Sequence, residues 1–138
     1  MNDQKYMMRA IELAKKAKGA VSPNPLVGAV IVKDGRIIGE GYHVTYGGLH
    51  AEMAALAAAT EDPQGATVYV NLEPCCHAGK QGACSKALIE AGISRLVYGS
   101  VDPNPKVAGQ GLQELRSAGI QVDGPLLEEE CLDLNRTF

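Results

Sequence analysis

The chain has 138 residues, the length of one domain, so no second catalytic unit fits within it. Apolar residues make up 46% and charged residues 21%, ordinary globular usage that excludes disorder as the main state. Thirteen Lys and Arg against sixteen Asp and Glu give a net charge of −3, and five Tyr, one Phe and no Trp offer little stacking surface, so the chain lacks the footprint of a nucleic-acid binder.

The opening MNDQKYMMRA has no apolar core of a signal peptide, and no run reaches the ~18 apolar residues of a membrane span. A cytoplasmic protein with no membrane contact is expected. Residues 3–18 read as an amphipathic helix, with Tyr6, Met7, Ala10, Ile11, Ala14 and Ala17 at helical spacing, Asp3 as a candidate N-cap and Gly19 as the stop. Leu26–Val32 is an apolar run interrupted by Gly28. Asp34-Gly35 and then Arg36–Gly39 follow it, which predicts a two-stranded hairpin. His50–Thr60 is Ala-rich and helical, and Pro63–Gly65 breaks it. Beyond that point strand and helix alternate. Thr67–Leu72 reads as a strand, Cys84–Ala91 as a helix stopped by Gly92, and Arg95–Gly99 as a strand. Gly111–Ala118 reads as a helix stopped by Gly119, Ile120–Val122 as a short strand, and Leu126–Asn135 as a terminal helix with Glu128–Glu130 near its N-terminus. That alternation implies parallel strands with helical crossovers, and with the hairpin it predicts a three-layer α/β/α domain around a mixed five-stranded sheet.

Two clusters carry chemistry. His50-Ala51-Glu52 opens one predicted helix; Pro74-Cys75-Cys76-His77 follows a strand, and Cys84 opens the next helix. In a reducing compartment clustered Cys point to a metal or to catalysis rather than to disulfides. One imidazole and two thiolates suit Zn²⁺, and three protein ligands leave an open position for water, the pattern of a catalytic site. Glu52 is then placed to take and return the proton of that water. Residues i and i+2 do not share a helical face, so His50 and Glu52 can converge only if they lie in the first turn. Two helix N-termini at the metal would favour thiolate over thiol. Two other readings stay open: a closed structural zinc site completed by Cys76 or His77, and a thiol enzyme using Cys76.

Zinc deaminases combine an H-x-E motif, whose Glu is the proton shuttle, with a P-C-x-x-C motif whose two Cys are ligands. His50-Ala51-Glu52 and Pro74-Cys75 fit, but eight residues separate Cys75 from Cys84. That longer spacing resembles the deaminase domain of the bifunctional riboflavin-biosynthesis deaminase–reductases, within the cytidine deaminase-like fold. The resemblance extends over Pro23-Asn24-Pro25-Leu26-Val27-Gly28, Gly41-Tyr42-His43, Glu73-Pro74-Cys75-Cys76-His77-Ala78-Gly79-Lys80 and Asp102-Pro103-Asn104-Pro105-Lys106-Val107-Ala108-Gly109. One stretch departs: Gln81-Gly82-Ala83 stands where the family often has a Thr-Pro-Pro-like sequence. The resemblance implies one zinc per chain on His50, Cys75 and Cys84, with Glu52 catalytic. It implies hydrolytic loss of the 2-amino group of a diaminopyrimidinone ribosyl 5′-phosphate, with substrate contacts on Asn24, His43, His77, Lys80, Asp102 and Asn104. The nearest alternative is a deaminase of the same fold acting on a free base, nucleoside or tRNA. Residues 1–138 are expected to form a single deaminase domain, either stand-alone or the N-terminal half of a bifunctional enzyme, in a homo-oligomer with a small-molecule substrate and no nucleic-acid partner.

Overall fold

A computed structural model describes residues 2–16, 26–42, 50–74, 84–101 and 109–134. Its elements run α1 (Asp3–Lys16), β1 (Gly28–Lys33), β2 (Arg36–Tyr42), α2 (Ala51–Ala57), β3 (Thr67–Leu72), α3 (Cys84–Ala91), β4 (Arg95–Ser100), α4 (Gln110–Ser117), β5 (Gln121–Asp123) and α5 (Glu128–Leu134). The five strands form one sheet in the order β2-β1-β3-β4-β5. β1 is antiparallel to both of its neighbours, whereas β3, β4 and β5 run parallel. This is the expected mixed sheet.

The hairpin forms as its sequence dictates. Asp34 and Gly35 have φ of 53° and 76°, the left-handed pair that a two-residue turn between twisted strands requires. Past the turn Val32 pairs with Ile37 but Ile31 with Gly39, so Ile38 is an extra residue bulging from β2.

Strand alternation sorts the core into two layers. Ala29, Ile31, Val68, Val70, Leu96 and Tyr98 pack with Ala51 and Ala55 of α2, Leu88 of α3, and Leu112 and Leu115 of α4. Val30, Val32, Tyr69 and Val97 face the other way, onto Tyr6, Met7, Ala10 and Ile11 of α1 and Cys131 of α5. The sheet is thus covered on both faces, which is why its strands read as continuous apolar runs. The three-layer α/β/α expectation holds.

Some boundaries differ from expectation, each for a local reason. Helix α2 ends at Ala57 rather than Thr60, because the Thr60 N–H donates to the carbonyl of the bulged Ile38 at 2.8 Å. Helix α5 starts at Glu128 rather than Leu126: the Leu126 N–H is spent on the Tyr98 carbonyl and Leu127 has φ of 55°. Asp3 is not the N-cap of α1. The first helical bond runs from the Tyr6 N–H to the Asn2 carbonyl, and the Asp3 carboxylate instead accepts from both Arg95 terminal nitrogens, at 3.0 and 2.9 Å, and from the Tyr69 hydroxyl at 2.5 Å. The Arg95 Nε donates to Asp123 at 2.6 Å, so one guanidinium ties α1, β4 and β5 together. Its charge and hydrogen bonds hold the Asp3 and Asp123 carboxyls below the usual carboxylate range. Residues 17–19, including the expected stop at Gly19, lie outside the described residues.

Candidate active site

β1 enters the sheet, and β2, β3 and β4 leave it, at a single edge. Gly28 pairs with Tyr42, and Leu72 with Ser100. At the carboxyl ends of parallel strands the crossover helices begin, and ligands bind there in open α/β sheets.

Helix α2 is set against this edge by glycines. A Cβ on Gly41 would stand 2.5 Å from the Ala51 carbonyl oxygen and 2.8 Å from the Ala54 Cβ, and would also meet the Ala55 nitrogen. A Cβ on Gly39 would meet the Ala55 carbonyl. Bare backbone on β2 and small side chains on α2 therefore bring helix and sheet into direct backbone contact, and the pair Gly39/Gly41 with the Ala-rich helix is one packing device.

His50 is the N-cap of α2, with an extended backbone at φ −67° and ψ 160° and no side-chain capping bond. Helical periodicity therefore does not govern it, which resolves the conflict between positions i and i+2. Its Nδ1 lies 3.2 Å from the Sγ of Cys84, the first residue of α3. Two donors at zinc distances on one tetrahedral ion stand about 3.5 Å apart, so this nitrogen–sulfur pair fits a shared zinc. Cys84 is fully buried. Glu52, in the first turn of α2, is 3% exposed. A carboxylate is costly to bury and is rarely kept in a core for packing alone. Among the described residues no three His, Cys, Asp or Glu gather as a metal site. Cys75, the expected third ligand, lies outside them, as do Asn24, His43, Cys76, His77, Lys80, Asp102 and Asn104.

Two residues of β3 and its exit matter in ways the sequence reading left unassigned. Asn71, 1% exposed, accepts from the Gly28 N–H at 2.8 Å and donates to the Leu26 carbonyl at 3.0 Å, locking the chain as it enters β1. Glu73, also buried, accepts from the N–H groups of Gly109 and Gly111, each at 2.9 Å, and of Leu112 at 3.4 Å. It caps the start of α4 with a full charge, where the helix dipole favours one. Their visible signal is a polar residue at each of two alternate positions in an otherwise apolar run, directly before Pro74.

A family model for the cytidine and deoxycytidylate deaminase zinc-binding region matches residues 1–100. The riboflavin biosynthesis protein RibD of Actinobacillus pleuropneumoniae is 56% identical over 138 residues, which are 100% of this chain and 37% of that protein. The diaminohydroxyphosphoribosylamino-pyrimidine deaminase of Buchnera aphidicola is 50% identical over 138 residues, 100% of this chain and 94% of that protein. The solved structure of Acinetobacter baumannii RibD superposes with a TM-score of 0.94 at 48% identity, covering 98% of this chain and 38% of that one. The chain thus spans less than two fifths of the length of these RibD relatives. No helix among the described residues is long and apolar enough to cross a membrane. The fold is the expected cytidine deaminase-like one, and this chain belongs to the cytidine and deoxycytidylate deaminase zinc-binding family, in the branch of the riboflavin-biosynthesis deaminases.

Proposed function

We propose that this chain hydrolytically deaminates 2,5-diamino-6-ribosylamino-4(3H)-pyrimidinone 5′-phosphate to the corresponding 5-amino pyrimidinedione phosphate. The observation that carries the reading is the His50 Nδ1 and Cys84 Sγ pair, 3.2 Å apart at two helix starts, with the carboxylate of Glu52 buried in the turn beside it. His50, Cys75 and Cys84 would hold one zinc per chain. Bound there, zinc would supply an acidified water as the nucleophile. Glu52 takes the proton as the water oxygen adds to the amine-bearing ring carbon. It delivers that proton to the adjacent ring nitrogen and then carries one to the leaving amine, so that water is consumed and ammonia released. At 3% exposure the Glu52 side chain is held away from bulk solvent.

Asn24, His43, His77, Lys80, Asp102 and Asn104 bind the substrate, with Asp102 accepting from ribose hydroxyls and Lys80 neutralising the phosphate as a point charge. In sequence each lies in a segment that joins the described chain at the site edge. The named activity of the Buchnera relative, which this chain covers almost entirely, supports the substrate choice. Residues 1–138 act as a single deaminase domain.

The test is ammonia release from the diaminopyrimidinone ribosyl phosphate, with cytidine and deoxycytidylate as comparison substrates. Release from the ribosyl phosphate alone, abolished by a chelator and restored by zinc, is expected. Deamination of cytidine or deoxycytidylate instead would overturn the substrate, and activity that survives chelation but is lost on alkylation would replace the metal by Cys76.

A further inference from the structure

We propose that Glu73 is a positioning residue for substrate binding: it pins both ends of the connection that carries Asp102 and Asn104. The inference rests on the functional reading above for the role of that connection, and on the described contacts for the clamp. In sequence the connection runs from Ser100, the last residue of β4, to Gly109, the N-cap of α4. At its first end the Glu73 N–H donates to the Ser100 carbonyl at 2.8 Å. At its second end the Glu73 carboxylate accepts from Gly109 through Oε1 and from Gly111 and Leu112 through Oε2. One residue thus bonds both Ser100 and Gly109, to the first through its main chain and to the second through its side chain.

The packing admits little slack. A Cβ on Gly111 would meet the Pro74 carbonyl oxygen, so the first turn of α4 abuts the backbone just after Glu73. Cys75 comes next in sequence. Glu73 therefore holds the end of β4 and the start of α4 together at a position two residues before Cys75 in sequence. A neutral cap would satisfy a helix start at the surface. Burial of a carboxylate on three amides is a stiffer choice, because charge-assisted hydrogen bonds are about twice as strong as neutral ones and a buried acceptor left short is costly.

Glu73→Gln tests the clamp at nearly constant volume. The amide keeps one acceptor oxygen and turns an NH₂ group toward a backbone N–H that it cannot satisfy. Hydrogen exchange at Gly109, Gly111 and Leu112 is expected to accelerate at least about tenfold, and KM for the ribosyl phosphate to rise about tenfold or more, the size of one charge-assisted bond. Turnover at saturation stays within about threefold and zinc content is unchanged, the signature of lost uniform binding. Leu115→Val, a cavity on the buried face of the same helix, loosens α4 without touching the clamp and leaves KM in place, which separates positioning from mere stability. If Glu73→Gln does not fold, Glu73→Asp carries the same test, since it keeps the charge and shortens its reach. Unchanged exchange at the three amides, or unchanged KM in an active enzyme, would overturn the proposal, as would a fall in turnover that tracks zinc loss. The exchange readout needs no substrate, so a wild type inactive on this pyrimidine would refute the functional reading while the clamp is still decided.

Discussion

Gly41→Ala adds one methyl group and should disable the site from the opposite side of a helix. The new Cβ would stand 2.5 Å from the Ala51 carbonyl oxygen and 2.8 Å from the Ala54 Cβ, and would meet the Ala55 nitrogen as well. These are backbone atoms and a methyl group, so no flexible side chain can swing away. Ordinary contact lies near 3.5 Å, so α2 must lift from β2 by about 1 Å. Overpacking of this kind costs about 1–3 kcal/mol, which in a domain of this size lowers Tm by roughly 3–10 °C. The larger effect is on chemistry. His50 and Glu52 ride at the start of α2, whereas Cys84 is held by α3, so the shift opens the 3.2 Å separation between His50 and Cys84. Displacements near 1 Å can cost about 100-fold in rate, and a metal site made of ligands from separate elements loses affinity with the same movement. Turnover, zinc content and Tm measured on one preparation should therefore show activity and zinc falling far more than stability. Met7→Ala, fully buried on the opposite face of the sheet, supplies the comparison, because it destabilises by at least as much without moving α2. A Gly41→Ala protein with wild-type zinc and turnover would refute the claim that this backbone contact places the site.

Glu52→Gln preserves volume but cannot carry a proton; it should fold and bind zinc and substrate with turnover at least about 10³-fold lower, and near-normal turnover would reject Glu52 as the shuttle. Arg95→Met should cost about 1–2 kcal/mol at pH 7, read as a fall in Tm, since it removes the shared partner of Asp3 and Asp123. Both carboxyls titrate below their unfolded values in the intact protein, so the stability they contribute is fully present above about pH 5 and is lost as pH falls below about 4. The acid limb of a Tm–pH curve should consequently be shallower in Arg95→Met than in the wild type, and parallel curves would remove this cluster from the pH dependence.

The elements that could be read from the sequence are those whose causes are local. Asp34-Gly35 specified its own turn, and Gly92 and Gly119, with φ of 77° and 88°, stop the helices they follow. The placement of His50 and Cys84 at two helix starts was equally legible, because helix starts follow strand ends in any alternating α/β chain. The features that escaped depend on partners distant in sequence. Asn71 acts on residues more than 40 positions earlier, Glu73 on residues more than 30 positions later, and Gly41 on a helix whose closeness no local pattern encodes. Asp3 was misassigned for the same reason: it has the composition of a cap, but Arg95, 92 residues away, claims its carboxylate.

The distribution of buried polar groups ties these observations together. Among the described residues the buried polar side chains are Glu52, Asn71, Glu73, Ser85 and Ser100. Each stands at a strand end or helix start on the edge that holds the His50–Cys84 pair. Ser85 donates to Glu114 at 2.8 Å, joining α3 to α4, and Ser100 donates to the Asn71 carbonyl at 3.2 Å, joining β4 to β3. Away from this edge the other buried side chains among the described residues belong to hydrophobic residues. A buried polar group is tolerated only when its hydrogen bonds are made, and a half-satisfied set is worse than none. Such a set also has one arrangement, whereas apolar contacts can slide, and a site assembled from several chain segments needs one arrangement. It follows that apolar replacements at these positions, attractive for raising stability, exchange the registration of the site for a softer core. The stability of the fold rests mainly on its two apolar layers, and the registration of the proposed site on the buried polar groups at this edge.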